Sequence, residues 1–428
     1  MKRTMHTAVV AALALALGLT AGCGRDGDGS SGTPSGSEGS ALGEGRGPIT
    51  YAQGKDTTGK LQAIFDEFNA THPGEEVTFV ELPEAADDQR TALVQDFQAG
   101  AGSYDVAGLD VVWTAEFAAR DWLLPLEDVD TTGVFDSMVA SGTYDGTLYA
   151  APYKSNGAFL FYRTDLIDTP PTTWDELIED CQVAEDNGID CYAGQFAQYE
   201  GLTVNFSEEV NSAGGSIVDA QGNASVDTAE AEEGLAFLIN GFKDGYIPEE
   251  AITYQEEESR RAFQSGSLLF LRNWPYVYNL ANEEGEDSQI QGKFGVAPIP
   301  GKDGVGSCTL GGYNIAISKA TKNAATAQEF VQYMLSEDVQ RRIFTEMGEP
   351  PVLEALYDDA ALQADVPYLG VLKDALTTAV ARPQAASYSE FSNVISTQIY
   401  QALQDRADPA ATLQALQADL QKVIDEAK

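Results

Sequence analysis

Short apolar strands alternate with amphipathic helices along the first part of the chain, and this alternation constrains the fold more than any other feature. The predicted strands are 48–53, 77–82 and 104–112. Between the first two, apolar residues from Leu61 to Phe68 recur at the spacing of one helix face, and a second helix is predicted at 88–99. Strands and helices in this order form β-α-β units on a parallel sheet, so the sequence predicts an α/β protein.

Later segments continue this pattern. Thr173 with Glu176, and Asp227 with Glu230, have the spacing of helix-opening capping boxes. Further strands are predicted at 294–300 and 313–318, and from Ala324 onward the sequence is mostly helical.

The N-terminus has the features of an export signal. Basic residues precede the apolar run 9–19, which is too short to span a bilayer. Small residues then lead to Cys23, and this ending resembles a bacterial lipobox, where the thiol receives a lipid. We expect 1–22 to be a signal peptide and 23–48 to be the lipidated cysteine with a disordered tether rich in Gly, Ser and Asp. The folded body is then extracytoplasmic, anchored to the outer face of the cell membrane by lipid on Cys23; plain secretion is the alternative.

Composition excludes several function classes. Asp+Glu number 67 against 25 Lys+Arg, which gives a net charge of −42 that would repel a nucleic-acid backbone. The two histidines, His6 and His72, cannot form a three-histidine metal centre, and a Ser-His-Asp triad would depend on His72 alone. In an exported protein, Cys181 and Cys191 suit a local disulfide, which leaves Cys308 unpaired and buried.

Six segments, in order, resemble the family 1 extracellular solute-binding proteins of ABC importers, and most of all their trehalose/maltose-binding branch. They include Arg-Asn-Trp-Pro-Tyr at 272–276 and Leu-Gly-Gly-Tyr-Asn-Ile-Ala-Ile-Ser at 310–318, and the others are 104–126, 148–166, 170–177 and 295–301. The resemblance implies a two-lobe periplasmic-binding-protein-like fold with hinge crossovers and a ligand cleft between the lobes. It places lobe 1 at 49–152 plus 311–350 and lobe 2 at 153–310 plus 351–428.

The resemblance also implies a set of sugar-contacting residues. They are Asp56, Arg90, Asp110, Asn156, Glu200, Trp274, Gly312, Tyr313 and Arg382. Charged and amide groups would hydrogen-bond sugar hydroxyls, and the aromatic rings would pack on the apolar face of a pyranose. Lys154 stands where relatives often carry an aromatic residue, so one stacking contact is expected to be missing.

We therefore expect a monomeric, lipid-anchored receptor without enzymatic activity, cofactor or metal. It would deliver an α-glucoside disaccharide or oligosaccharide of the trehalose or maltose type to the permease subunits of an ABC transporter. The alternatives are an extracellular glycoside hydrolase and a sugar sensor that works without a permease.

Overall fold

The computed structural model describes residues 44–283 and 287–427. The predicted signal peptide, the predicted lipid site Cys23 and most of the predicted tether lie outside these residues. Among the helices within them, none is both long and apolar enough to cross a bilayer.

The chain alternates strands and helices at first and becomes helical later. The strands are β1 (Ile49–Gly54), β2 (Val77–Leu82), β3 (Val106–Asp110), β4 (Thr143–Tyr144), β5 (Thr147–Leu148), β6 (Ala150–Asn156), β7 (Phe159–Arg163), β8 (Asp190–Ala193), β9 (Leu268–Asn273), β10 (Phe294–Ala297), β11 (Thr309–Ile317) and β12 (Val380–Ala381). The helices up to residue 244 are α1 (Leu61–Thr71), α2 (Ala86–Ala99), α3 (Thr114–Ala119), α4 (Asp136–Ser141), α5 (Trp174–Asn187), α6 (Glu200–Ser212) and α7 (Ala229–Asp244). The helices of the second half are α8 (Glu256–Gln264), α9 (Val277–Asn282), α10 (Ala324–Met334), α11 (Glu337–Met347), α12 (Ala360–Asp365), α13 (Leu369–Thr378), α14 (Tyr388–Asp405) and α15 (Pro409–Glu426), and 3-10 turns cover Glu249–Thr253 and Glu354–Asp358.

The first sheet has the strand order β12-β11-β3-β1-β2, with β6 paired to β11. Strand β1 runs parallel to β2 and β3, as the β-α-β pattern predicts. The expectation of a parallel sheet is wrong at β11, which runs antiparallel to both β3 and β6. Strand β11 follows the second sheet along the chain, so its direction is not set by a β-α-β crossover.

The second sheet has the order β10-β7-β9-β8. The chain enters it through the short connection between β6 and β7 and leaves it between β10 and β11. Helix α11 packs against α1 beside the first sheet, and α14 packs against α6 beside the second. Two sheets, each with its own helices, are therefore joined by chain crossovers.

The structure confirms one of the two predicted helix starts and corrects the other. Thr173 and Glu176 form the predicted capping box at α5. The predicted box at Asp227 and Glu230 is wrong, because Thr228 caps α7 through its hydroxyl, which accepts from the Ala231 N–H. The shift by one residue arises because Thr228 also has a side-chain oxygen of the kind that favours this position.

The cysteines within the described residues, Cys181, Cys191 and Cys308, occupy buried or half-buried positions. Cys181 in α5 and Cys191 in β8 form a disulfide, with their Cα atoms 5.1 Å apart. Cys308 is a buried free thiol, and burial raises its pKa to about 12. A thiol with so high a pKa is almost entirely protonated near neutral pH, so Cys308 is a poor nucleophile.

Candidate functional site

A cavity of about 160 Å³ lies between the ends of strands from the two sheets. The predicted residues that line it are Asp110, Asn156, Glu200, Trp274, Gly312, Tyr313 and Arg382. They are separated by up to 272 positions in sequence, and strand register brings together those in β3, β6 and β11. Within the first sheet, β11 places Tyr313 opposite Asp110 and Gly312 opposite Ser155.

Arg382 is the central charge of the cavity. Its guanidinium donates through Nη2 to Asp110 Oδ1 at 2.9 Å and through Nη1 to Glu200 Oε1 at 2.5 Å. Asp110 ends β3 in the first sheet, whereas Glu200 begins α6 beside the second. The Arg382 side chain is only 3% exposed, so this ion triad joins the two halves of the molecule where water is largely excluded.

Glu200 accepts hydrogen bonds from three protein side chains. Besides Arg382, the Tyr388 hydroxyl donates to Oε1 at 2.6 Å, and the Ser392 hydroxyl donates to Oε2. Because α14 supplies both hydroxyls, Glu200 is held rigidly. In this arrangement its carboxylate orients Arg382 and has little capacity left to accept from a ligand.

Two buried polar atoms of the cavity residues have no hydrogen-bond partner. They are Oδ1 of Asn156 and Nε of Arg382. A buried polar atom without a partner costs about 1–3 kcal/mol, and such groups are rare in folded proteins. One acceptor and one donor, both unpaired beside the same cavity, fit a ligand that offers hydroxyl groups, since each hydroxyl both donates and accepts.

Aromatic side chains form the remaining walls. The Arg272 guanidinium lies 4.3 Å from the centre of the Trp274 ring, and an added Cβ at Gly311 would lie 3.0 Å from the same ring. The hydroxyl of Tyr313 donates to Gln89 Oε1 at 3.1 Å. Lys154 Nζ lies 4.9 Å from the Tyr313 ring centre. The ammonium group therefore covers part of the Tyr313 ring, which was expected to pack on a sugar.

Two predicted residues do not line this cavity. Asp56 uses its carboxylate locally, since Oδ1 accepts from Thr58 and Oδ2 from the Leu61 N–H at 2.8 Å. The Arg90 guanidinium is held by Glu116 through two hydrogen bonds of 2.9 and 2.6 Å. Glu116 is a buried acid in α3 that the sequence analysis did not consider.

The environment shifts the pKa of several cavity groups. Burial raises the pKa of Asp110, although the adjacent Arg382 opposes that rise, and burial also raises the pKa of Glu256. Burial alone would lower the pKa of Arg382, but the negative charges beside it, led by Asp110, raise the pKa. The guanidinium therefore stays charged near neutral pH.

Several lining residues were missed by sequence reasoning. They are Gln53, Gln89, Glu256, Tyr276 and Glu349. Tyr276 could have been recognised from the sequence, because it ends the motif that contains Trp274. Glu349 could have been recognised from its position directly before the two prolines at 350 and 351. Glu256 sits in a run of acids typical of a solvated helix start, so its place in the cavity wall could not be recognised from sequence. Among the described residues, no group of three or more His, Cys, Asp or Glu side chains is arranged to hold a metal.

Comparison with known proteins identifies the family. Residues 52–341 match the bacterial extracellular solute-binding protein family. A probable ABC transporter-binding protein of Deinococcus radiodurans is 33% identical over 372 residues, covering 83% of this chain and 88% of that protein. A maltotriose-binding protein of Pyrococcus abyssi is 24% identical over 376 residues, covering 85% of this chain and 79% of that protein.

Solved structures agree with this assignment. Maltose-bound T. maritima MalE3 superposes with a TM-score of 0.83 and 31% identity, covering 88% of this chain and 99% of that one. The GacH receptor of Streptomyces glaucescens shares the fold, with a TM-score of 0.80 and 23% identity over 90% of this chain and all of that one. The chain therefore belongs to the bacterial extracellular solute-binding proteins, and the predicted two-lobe periplasmic-binding-protein fold is confirmed.

Gly312 has a backbone conformation that favours glycine over every other residue. Its φ is +130°, and an added Cβ would collide with the Lys154 carbonyl oxygen. We expect Gly312→Ala to lower the free energy of unfolding by about 1–3 kcal/mol or more, because this conformation is essentially restricted to glycine. The measurement is urea denaturation followed by circular dichroism.

Gly370 provides the matched control. It lies in α13, where an added Cβ meets nothing within 4 Å. Gly370→Ala should be neutral or stabilising by up to about 1 kcal/mol, since alanine is the better helix former. Equal stability of the two alanine variants would contradict the assignment of Gly312 as a constrained position.

Proposed function

We propose that this chain is the lipid-anchored receptor of an ABC importer, and that it captures an α-glucoside disaccharide or oligosaccharide of the maltose or trehalose type. The observation that carries the proposal is the buried Asp110–Arg382–Glu200 triad, which joins both lobes beside two unpaired polar atoms and the Trp274 ring. Hydroxyls of a sugar would satisfy Asn156 Oδ1 and Arg382 Nε, and a pyranose face would pack on Trp274. The maltose-bound and maltotriose-binding relatives support the choice of sugar.

The lobes in this proposal are 49–152 with 311–350, and 153–310 with 351–428. Ligand that contacts both lobes favours the closed arrangement, because only that arrangement provides all of its contacts. The permease subunits would recognise the closed surface. In this account Asp110, Asn156, Trp274, Gly312, Tyr313 and Arg382 contact the ligand directly, while Glu200 acts through Arg382.

The two carboxylates at the centre of the cavity, Asp110 and Glu200, are not arranged as in a hydrolase. A glycosidase needs one protonated carboxyl beside the scissile bond and a second carboxylate that acts as base or nucleophile. Asp110 and Glu200 instead share one guanidinium, and Glu200 accepts two further hydrogen bonds. Binding without bond cleavage is the function that this arrangement supports.

A thermal-shift panel tests the sugar class. Maltose, trehalose and maltotriose should each raise the unfolding midpoint, since a ligand at 100 times its Kd stabilises the folded state by about 2.7 kcal/mol. Cellobiose and lactose, which are β-linked, serve as matched controls of the same size. A shift with the β-linked sugars alone would replace the α-glucoside proposal, and no shift with any sugar would end the sugar proposal.

The lipid anchor has its own test. Cys23→Ser should release the protein from the membrane fraction into the medium, because the acyl chains contribute about 0.8 kcal/mol per buried methylene. The measurement is immunoblotting of membrane and medium from cells that express each form, with Cys308→Ser as the control that keeps Cys23. Continued membrane association of Cys23→Ser would remove lipid on Cys23 from the account.

A further inference from the structure

A buried cation lies beside the Trp274 ring. The Arg272 guanidinium is 4.3 Å from the ring centre, and the Arg272 side chain is only 3% exposed. A guanidinium is attracted to the face of an aromatic ring, and the attraction is stronger where water is excluded. Because Trp274 directly follows β9, in which Arg272 lies, the position of the guanidinium helps to determine where the ring can lie.

Glu208 fixes the Arg272 guanidinium from the neighbouring helix α6. Its Oε2 accepts from Arg272 Nε and its Oε1 from Nη2, both at 2.6 Å. Two parallel hydrogen bonds of this kind fix the plane of a guanidinium as well as its position. The remaining nitrogen, Nη1, donates to Gln195 Oε1 at 2.6 Å. Burial alone would lower the pKa of Arg272, but the adjacent Glu208 raises it, so the cation is maintained.

The same carboxylate contacts the strand that forms another wall of the cavity. Glu208 Oε1 also accepts from the Thr309 N–H at 3.0 Å. Thr309 begins β11, which carries the cavity residues Gly311 and Tyr313. Glu208 does not line the cavity itself, yet its carboxylate connects the β11 wall with the guanidinium beside Trp274.

We propose that Glu208 is a positioning residue for ligand binding: it holds Arg272, and Arg272 holds the Trp274 ring in the position that packs on a sugar. This inference rests on the proposed sugar-binding function and deepens it. A carboxylate that acts through the ring should matter for binding while the ring is present and should cease to matter once the ring is removed. A carboxylate that only stabilises the fold would affect both forms alike.

A double-mutant cycle tests the proposal, with isothermal titration calorimetry of maltose, trehalose and maltotriose as the measurement. Glu208→Gln removes the charge and one acceptor of the guanidinium but keeps an oxygen for the Thr309 N–H. It should raise the Kd of the tightest-binding of these sugars by about threefold or more, a coupling typical of residues in contact. In the Trp274→Ala background, Glu208→Gln should leave the Kd within about twofold.

A second variant separates binding from stability, because Glu208→Gln alone leaves the buried charge of Arg272 without its partner. Glu208→Gln combined with Arg272→Met removes both charges together, which costs far less stability than removing one of them. This form should unfold at a higher midpoint than Glu208→Gln alone and still bind sugar about as weakly.

Asp165→Asn is the matched control. Asp165 also accepts two hydrogen bonds from an arginine, Arg163, which ends β7 in the same sheet as β9. Neither Asp165 nor Arg163 lines the cavity. Asp165→Asn should therefore leave the Kd for sugar unchanged.

The outcomes separate this inference from the function on which it rests. An equal loss of affinity from Glu208→Gln with and without the Trp274 ring overturns the positioning role and leaves the receptor function standing. Unchanged affinity in the form that lacks both charges also overturns the positioning role. If the unaltered chain binds none of the three sugars, the receptor function and this inference fail together.

Discussion

Arg382→Met is expected to lower the free energy of unfolding by about 3–5 kcal/mol, the cost of leaving buried charges without their partner. The substitution keeps much of the side-chain volume but removes the cation between Asp110 and Glu200. Both carboxylates are buried or nearly so, and among the described residues Arg382 is the cation that pairs with each of them. Sugar binding should be lost as well, since Arg382 Nε is one of the unpaired atoms proposed to meet the ligand.

Urea denaturation measures the loss of stability, and a surface pair supplies the control. Lys319 binds Asp121 at 2.5 Å, but the two side chains are 50% and 79% exposed. Lys319→Met should therefore cost no more than about 1 kcal/mol. If Arg382→Met costs as little as Lys319→Met, the triad does not hold the two lobes together as described.

Trp274→Ala is expected to weaken sugar binding at least about tenfold, since stacking on an aromatic ring contributes about 1–3 kcal/mol per stacked ring in comparable systems. The indole is half-buried, lines the cavity and is held in place by Arg272 behind it. Because the ring lines the cavity and is only half-buried, its removal should affect binding more than folding. Calorimetry with the sugar that gives the largest thermal shift measures the effect.

Trp122 is the matched control. Its ring packs against Phe117 at 5.2 Å and under Arg120, and it does not line the cavity. Trp122→Ala should leave the Kd unchanged, and Trp274→Phe should recover part of the affinity. A large drop in the unfolding midpoint of Trp274→Ala with intact affinity would assign Trp274 to the core instead.

Sequence patterns predicted much of the local structure. The stripe from Leu61 to Phe68 is buried in α1, and β2 has its predicted bounds, because apolar periodicity reports directly which face is covered. The third predicted strand, 104–112, is shorter in the structure, at Val106–Asp110. Residues 111–113 turn instead, since Asp110 accepts from the Val112 N–H and ends the strand.

Long-range pairing was beyond sequence patterns. Arg90 was predicted to contact sugar, but its partner in the structure is Glu116, and nothing local in the sequence indicates that pair. The direction of β11 was also missed, because an apolar run predicts a strand without saying which neighbour it joins. The placement of Asp110, Tyr313 and Arg382 around one cavity came from family resemblance, which carries three-dimensional information that periodicity lacks.

Native mass spectrometry of the protein after incubation with maltose or trehalose tests most directly whether the cleft holds a sugar without altering it. We predict one intact disaccharide bound to each chain, with no glucose released into the solution. Free glucose in place of bound disaccharide, or no bound sugar from a full panel of saccharides, would contradict the account.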